Sequence, residues 1–330
     1  MFCLASLIYG SVVRLRNMLY DHSILTSCDS ALPSICVGNL AVGGTGKTPH
    51  SEYLLRNLHC SKAYVSRGYH RKSRGMVVAD DTSTSLDLGD EAYQIHRKFR
   101  DVQVVVSGDR HKAVDYLKER RDIDLVILDD AFQHRNIRAT VNIILTEYAS
   151  DPRQERMLPC GRMRDTFSSI KRADIVVVTK CPSTITPEEM SKKRRELNIT
   201  QPILFSYMKY GGAYGVSDGR EITLQGKKLL LFTGIEKPAP LAEYLGTYTS
   251  DLKTLTFPDH HDFTRKDIEK IIRTAQNCDY IVTTEKDYSR LTSSTFFKLL
   301  QDRLVVIPIE IDFIGDTLIS FVTKYLGQHS

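Results

Sequence analysis

The chain contains no C-x-x-C pair, no apolar run long enough to cross a bilayer, no low-complexity block and no concentrated basic stripe. Each absence removes a class of function. Without C-x-x-C spacing there is neither a zinc ribbon nor a thioredoxin-like redox pair. The seven cysteines, at 3, 28, 36, 60, 160, 181 and 278, are odd in number and widely spaced, which predicts reduced thiols in a cytosolic compartment rather than a disulfide framework. A net charge of +5 on 330 residues is too small and too dispersed for a nucleic-acid binder. The basic runs RKSR (71–74) and KKRRE (192–196) read as solvated faces. Nothing in the composition calls for an obligate protein partner.

The amino terminus, MFCLASLIYGSVVRLRNMLYD, begins with about thirteen mostly apolar residues, fewer than the roughly 20 a membrane span requires. Its basic residues follow the apolar run and no A-x-A site succeeds it, so it does not fit a signal peptide. At helical spacing Leu4, Leu7, Ile8, Val12, Leu15 and Leu19 form one apolar face, with Arg14 and Arg16 near its end. The residues alone leave two readings, a helix lying in a membrane interface or one packed against its own protein.

What is present is a strand–helix alternation. SICVGNL, AYVS, VQVVV, DLVILDD, VNIIL and DIVVVTK read as buried strands, with helices from Lys47 to Leu58 and around Glu91–Phe99, Lys112–Arg120 and Pro187–Leu197. That rhythm predicts an α/β fold, a P-loop NTPase-like α/β/α sandwich with a mainly parallel sheet. Near residue 205 the pattern changes to a Gly-rich stretch, YMKYGGAYGVSDGREITL, that predicts a β-ribbon hinge. Further strands, KLLLFTG, LKTLTF, YIVTTEKD and LVVIPIEI, and a last helix near 315–326 predict a second, smaller α/β domain. The expected division is 1–25 amino-terminal helix, 26–205 phosphate-loop domain, 206–227 hinge and 228–330 carboxy-terminal domain.

VGNLAVGGTGKTPH (37–50) carries the chemistry. Gly43, Gly44 and Gly46 free the backbone to curl so that successive N–H groups, Thr45 included, face one anion. The helix that follows presents its positive end to the same anion. Lys47 supplies charge to the β- and γ-phosphates, and the Thr48 hydroxyl is placed to ligate Mg²⁺. The general pattern G-x-x-x-x-G-K-[ST] asks for Gly at 41, and this chain has Ala41. DLVILDD ends an apolar strand on Asp129 and Asp130, where carboxylates hold Mg²⁺ directly or through water.

These segments, with SRGY (66–69), GDEA (89–92), LDDAFQHR (128–135), LPCGRMRD (158–165), FPDHHDF (257–263) and TTEKDYSRL (283–291), occur in an order that resembles the tetraacyldisaccharide 4′-kinase (lipid A 4′-kinase) family from the amino-terminal segment to about residue 310. The family's loop is similar to G-N-L-x-V-G-G-x-G-K-T, which accommodates Ala41. Departures are GDEA for GDEP, DDAFQH for DDGFQH, and RMRD for a stretch ending L-R-E, which leaves the role of Asp165 open.

The resemblance implies ATP-dependent phosphorylation of the 4′-hydroxyl of a lipid-linked tetraacyldisaccharide 1-phosphate, giving lipid IVA. It implies ATP and Mg²⁺ as cofactors, and work at the cytoplasmic face of the bacterial inner membrane, with the amino-terminal helix as a membrane-interfacial element. It implies Asp90 as base, His260 as its partner ahead of His261, and Glu91, Arg67, Arg110 and Gln133 around the nucleotide, with Arg164 near a phosphate. VVTKCP and TTEKD resemble the guanine-reading N-K-x-D, but the first lacks the Asp and the second lies in the other domain, so ATP is expected. The alternatives are a soluble phosphate-loop kinase or ligase acting on a small metabolite, and a nucleotide-dependent switch.

Overall fold

The computed structural model describes residues 2–120, 122–259, 261–292 and 296–328. Among these, nine strands form a large sheet in the order Ile309–Phe313, Ile203–Tyr210, Ile175–Thr179, Val141–Glu147, Ser34–Asn39, Leu125–Asp129, Lys62–Ser66, Gln103–Val106, Val77–Val78. The two outermost pairings, Ile203–Tyr210 with Ile309–Phe313 and Gln103–Val106 with Val77–Val78, are antiparallel, and the others are parallel. The central strands are buried throughout, which is why they read as unbroken apolar runs rather than alternating ones. Leu54, Leu55, Leu88, Ile95, Leu318 and Val322 pack on one face, and Ala113, Val114, Leu117, Ile170 and Leu197 on the other. The result is the expected α/β/α sandwich.

The strand Ser34–Asn39 lies between Leu125–Asp129 and Val141–Glu147, with Val37 paired to Asp129 and to Ile143. The chain leaves this strand toward one side of the sheet and later fills the other, so the crevice at the strands' carboxyl ends opens here. The glycine loop and the Asp129–Asp130 pair thereby leave neighbouring strands side by side.

A second sheet has the order Tyr214–Gly215, Leu304–Ile307, Tyr280–Thr284, Leu229–Thr233, Leu252–Thr256. Leu241 and Leu245 cover one face; Ile268, Ile271 and Leu291 cover the other.

One expected boundary is corrected. LVVIPIEI is two strands, because Pro308 lacks an N–H and breaks the ladder. Leu304–Ile307 belongs to the small sheet, whereas Ile309–Phe313 adds to the edge of the large one. The helix Leu318–Gln328 also packs on the large sheet, so residues 309–328 are not part of the smaller unit expected at 228–330. The 206–227 stretch carries a short antiparallel turn, with Tyr214 bridged to Glu221 and Ile222 N donating to Ala213 O (2.7 Å), and its first strand also reaches outside the stretch. That strand pairs Ser206–Tyr210 with the distant Ile309–Phe313.

The helix Phe2–Asp21 docks through polar groups. Ser6 Oγ donates to Met157 O (3.0 Å), Tyr9 Oη to Arg164 O (3.1 Å), and Asn17 Nδ2 to Asp165 Oδ1 (2.8 Å). Its apolar stripe, Leu4, Leu7, Ile8, Val12, Leu15 and Met18, is exposed. No helix among the described residues is long and apolar enough to cross a membrane.

Candidate active site

The glycine loop is held open from several sides. Gly43 and Gly46 have φ of 110° and 93°, a region that side-chain-bearing residues rarely adopt. Asn39 Nδ2 donates to Thr45 Oγ1 (2.8 Å), and Thr179 Oγ1 donates to Thr45 O (3.0 Å). Ala41 forms an antiparallel bridge with Met163, flanked by Val42 N donating to Arg162 O (2.7 Å) and Arg164 N to Leu40 O (2.9 Å). Its backbone is bridged as in a strand, and no glycine is needed there. His50, in the helix Lys47–Asn57, donates Nδ1–H to Gly46 O (2.7 Å), and its Nε2 accepts from Ser206 Oγ (2.9 Å). Burial lowers its pKa to about 4, so it is a neutral brace between loop and ribbon.

The two aspartates have different surroundings. Asp129 is buried, and its Oδ1 has no hydrogen-bond partner among the described residues. Burial, reinforced by Glu91 and Asp130 and opposed by Lys47, raises its pKa to about 7. Asp130 sits at φ 48° with both carboxylate oxygens on the Arg164 guanidinium, Nη1 to Oδ2 at 2.8 Å, and with Lys47 Nζ 3.7 Å from Oδ1. Burial alone would raise the Asp130 carboxyl; the Arg164 hydrogen bond and the Lys47 charge outweigh it and hold it at about 2.

An orphaned buried carboxylate oxygen is the environment a divalent cation satisfies. Among the described residues no cluster of three or more His, Cys, Asp or Glu could hold a metal by itself. Mg²⁺ takes one or two carboxylates and completes its shell with water and phosphate oxygens. Asp129 and the buried Thr48 therefore fit the ion, whereas Asp130 is already engaged.

Around this centre stand the other expected residues. Arg110 is buried; Nη1 bonds Ser107 O (3.1 Å), while Nε has no hydrogen-bond partner among the described residues. Arg67 is exposed and close enough to act electrostatically on Arg110. Gln133 Nε2 donates to Asn39 O (2.8 Å) at the start of the loop. His134 is lowered to about 4 by burial and by Arg110 and Arg67, and is neutral. SRGY and GDEA pack together: a Cβ on Gly89 would lie 2.3 Å from Tyr69 O.

Asp90 opens the helix Asp90–Lys98, and its Oδ2 accepts from Arg290 Nε at 2.9 Å. Glu91 lies 3.8 Å from Lys286. His261 stacks on Phe257 at 4.9 Å and its Nε2 meets Asp267 Oδ2 at 3.0 Å, a scaffold role. His260 lies outside the described residues. Sequence reasoning did not single out Arg290, although it stands within TTEKDYSRL. Asp165, whose role the sequence leaves open, is buried and accepts from Asn17, Thr166, Ser169 and Arg172, anchoring the amino-terminal helix.

A glycine loop, a lysine and two arginines thus stand around a carboxylate with one oxygen lacking a hydrogen bond among the described residues, in an order of motifs found along the whole chain. The family model for tetraacyldisaccharide-1-P 4′-kinase matches residues 1–326. The chain belongs to that family. Its relatives include the tetraacyldisaccharide 4′-kinases of Porphyromonas gingivalis W83, 39% identical over 98% of this chain and 96% of the relative, and of Flavobacterium johnsoniae, 43% identical over 94% and 91%. The solved structure of LpxK from Aquifex aeolicus in complex with ATP has 25% identity and a TM-score of 0.76, covering 98% of both chains. In this 4′-kinase fold the bridge at Ala41 accounts for a loop without the first glycine of the general pattern.

Proposed function

We propose that this chain transfers the γ-phosphoryl group of ATP to the 4′-hydroxyl of a tetraacyldisaccharide 1-phosphate, giving lipid IVA. The observation that carries the reading is the glycine loop placed beside the unpartnered Oδ1 of buried Asp129 in a chain of this family. The N–H groups of residues 43–48 and Lys47 cradle the β- and γ-phosphates. Thr48 and Asp129 would hold Mg²⁺, which when bound neutralises charge between those phosphates. Asp130 keeps Arg164 and Lys47 in register. Arg67 and Arg110 meet phosphate oxygens, Glu91 assists at the nucleotide or the ion, and Gln133 fixes the loop's entrance. A sugar hydroxyl is a weak nucleophile, and Asp90 takes its proton with His260 as partner.

The acyl chains keep the acceptor in the bilayer, so the enzyme must come to it. The exposed stripe on Phe2–Asp21 suits insertion into the interface, and burying several such side chains contributes roughly 1.5–3 kcal/mol each. We place the enzyme at the cytoplasmic face of the inner membrane. A soluble kinase acting on a small metabolite would leave that stripe without a role.

The test is transfer of labelled phosphate from ATP to a lipid disaccharide. Label on the acceptor, formed much more slowly but still measurably in Asp90→Asn and reduced on truncating residues 1–20, supports the proposal. ATP hydrolysis with no labelled acceptor would favour the switch, and equal activity of the truncated enzyme on vesicle-borne acceptor would remove the membrane assignment.

A further inference from the structure

The helix Asp90–Lys98 meets the helix Glu285–Leu291 of the smaller unit along one face. Asp90 pairs with Arg290 and Glu91 with Lys286. Arg97 stacks on Tyr288 at 4.4 Å and bonds its hydroxyl at 2.6 Å, and Lys98 bridges Glu52 and Glu285 at 2.6 Å each. Arg290 is buried and held by several acceptors. Its side chain is 4% exposed, and Nη1 donates to Gly234 O (3.0 Å) and Asp287 Oδ1 (3.1 Å). Asp287 is itself fixed by Thr284 Oγ1 at 2.8 Å. Gly234 abuts the FPDHH loop: a Cβ there would lie 3.1 Å from Pro258 O and 3.3 Å from His261 Cβ.

One guanidinium therefore connects three motifs from both units: GDEA, TTEKD and the loop beside FPDHH. We propose that Arg290 is a positioning residue for phosphoryl transfer. It fixes the Asp90 carboxylate from across the cleft, so the acceptor side of the site is complete only when the Glu285–Leu291 helix is docked. The inference rests on the reading of Asp90 as base. An arginine performs this task better than a lysine, because its planar fork holds a carboxylate and two further acceptors in fixed directions. Binding of ATP at the glycine loop does not need the contact; alignment of the acceptor hydroxyl does.

The experiment is a mutant cycle in the full-length enzyme with ATP, Mg²⁺ and vesicle-borne acceptor, using Arg290→Gln, Arg290→Lys, Asp90→Asn and the double variant Asp90→Asn/Arg290→Gln. Arg290→Gln is expected to lower kcat by about 10- to 100-fold with KM for ATP within about threefold of wild type. Arg290→Lys should recover part of that loss. In the Asp90→Asn background, Arg290→Gln should lower kcat by less than about threefold further, because both residues act on one step. Losses that multiply in the double variant, or a loss that falls on ATP affinity, would overturn the proposal. Should Arg290→Gln fail to fold by circular dichroism, the same cycle run with Arg290→Lys decides. A near wild-type kcat in Asp90→Asn would instead refute the base assignment, a separate result.

Discussion

Lys47 Nζ and Asp130 Oδ1 stand 3.7 Å apart at the mouth of the glycine loop. Asp130 also holds Arg164 through both oxygens, so it stays ionised and placed when the lysine is removed. Lys47→Ala is therefore expected to keep a near wild-type melting temperature while kcat/KM for ATP falls on the order of 100-fold. Steady-state kinetics at varied ATP, with thermal unfolding alongside, measure both. Unfolding at the assay temperature would make Lys47 part of the scaffold instead.

Asp129 gives a pH dependence with a defined sign. Burial raises its pKa to about 7. A carboxyl raised by folding favours the fold where it is protonated; that contribution is complete below about 4 and is lost as pH rises through 7. Above that pH the fold carries a buried charge that a divalent cation relieves. Mg²⁺ should therefore raise the melting temperature more at pH 8 than at pH 6. Without Mg²⁺ at pH 8, Asp129→Asn should melt a few degrees higher than wild type while losing transfer activity. A lower melting point for Asp129→Asn would contradict the assignment of an uncompensated charge.

Lys98 bridges Glu52 and Glu285, two buried carboxylates on opposite sides of the unit boundary. Lys98→Met leaves both acids without their shared cation and should destabilise the protein by roughly 3 kcal/mol. Adding Glu285→Gln should restore part of it, since one of the two charges is then gone. Denaturant unfolding of the single and double variants gives the answer; no recovery in the double variant would mean that the lysine acts through packing.

Leu7 and Leu15 are 63% and 54% exposed on the amino-terminal helix. Leu7→Asp/Leu15→Asp should leave the fold intact and reduce co-sedimentation with anionic phospholipid vesicles by about 10-fold or more. Unchanged sedimentation would end the helix's assignment to the interface.

The parallel sheet, its helices and the glycine loop were legible because unbroken apolar runs, helical spacing and glycine spacing are local signals. What was not legible depends on distant partners. Ala41 looks anomalous until Met163 is brought beside it. The division of labour between Asp129 and Asp130 is set by Arg164, a residue far along the chain. LVVIPIEI shows its proline plainly, but nothing local says that its two halves join different sheets. His261 is adjacent to His260 in sequence, and its bond to Asp267 shows which task it has.

The smaller sheet leaves and rejoins the larger unit at nearly one point, where Gly211 N donates to Pro308 O at 2.9 Å. It is therefore an insertion whose two stems are adjacent. The edge strand Ile309–Phe313 and the helix Leu318–Gln328, translated after the insertion, complete the nucleotide-side domain begun some 270 residues earlier. During synthesis that domain waits, with one strand edge uncapped, until the insertion has emerged. A stop codon near residue 308 would consequently injure the first half of the protein more than the last.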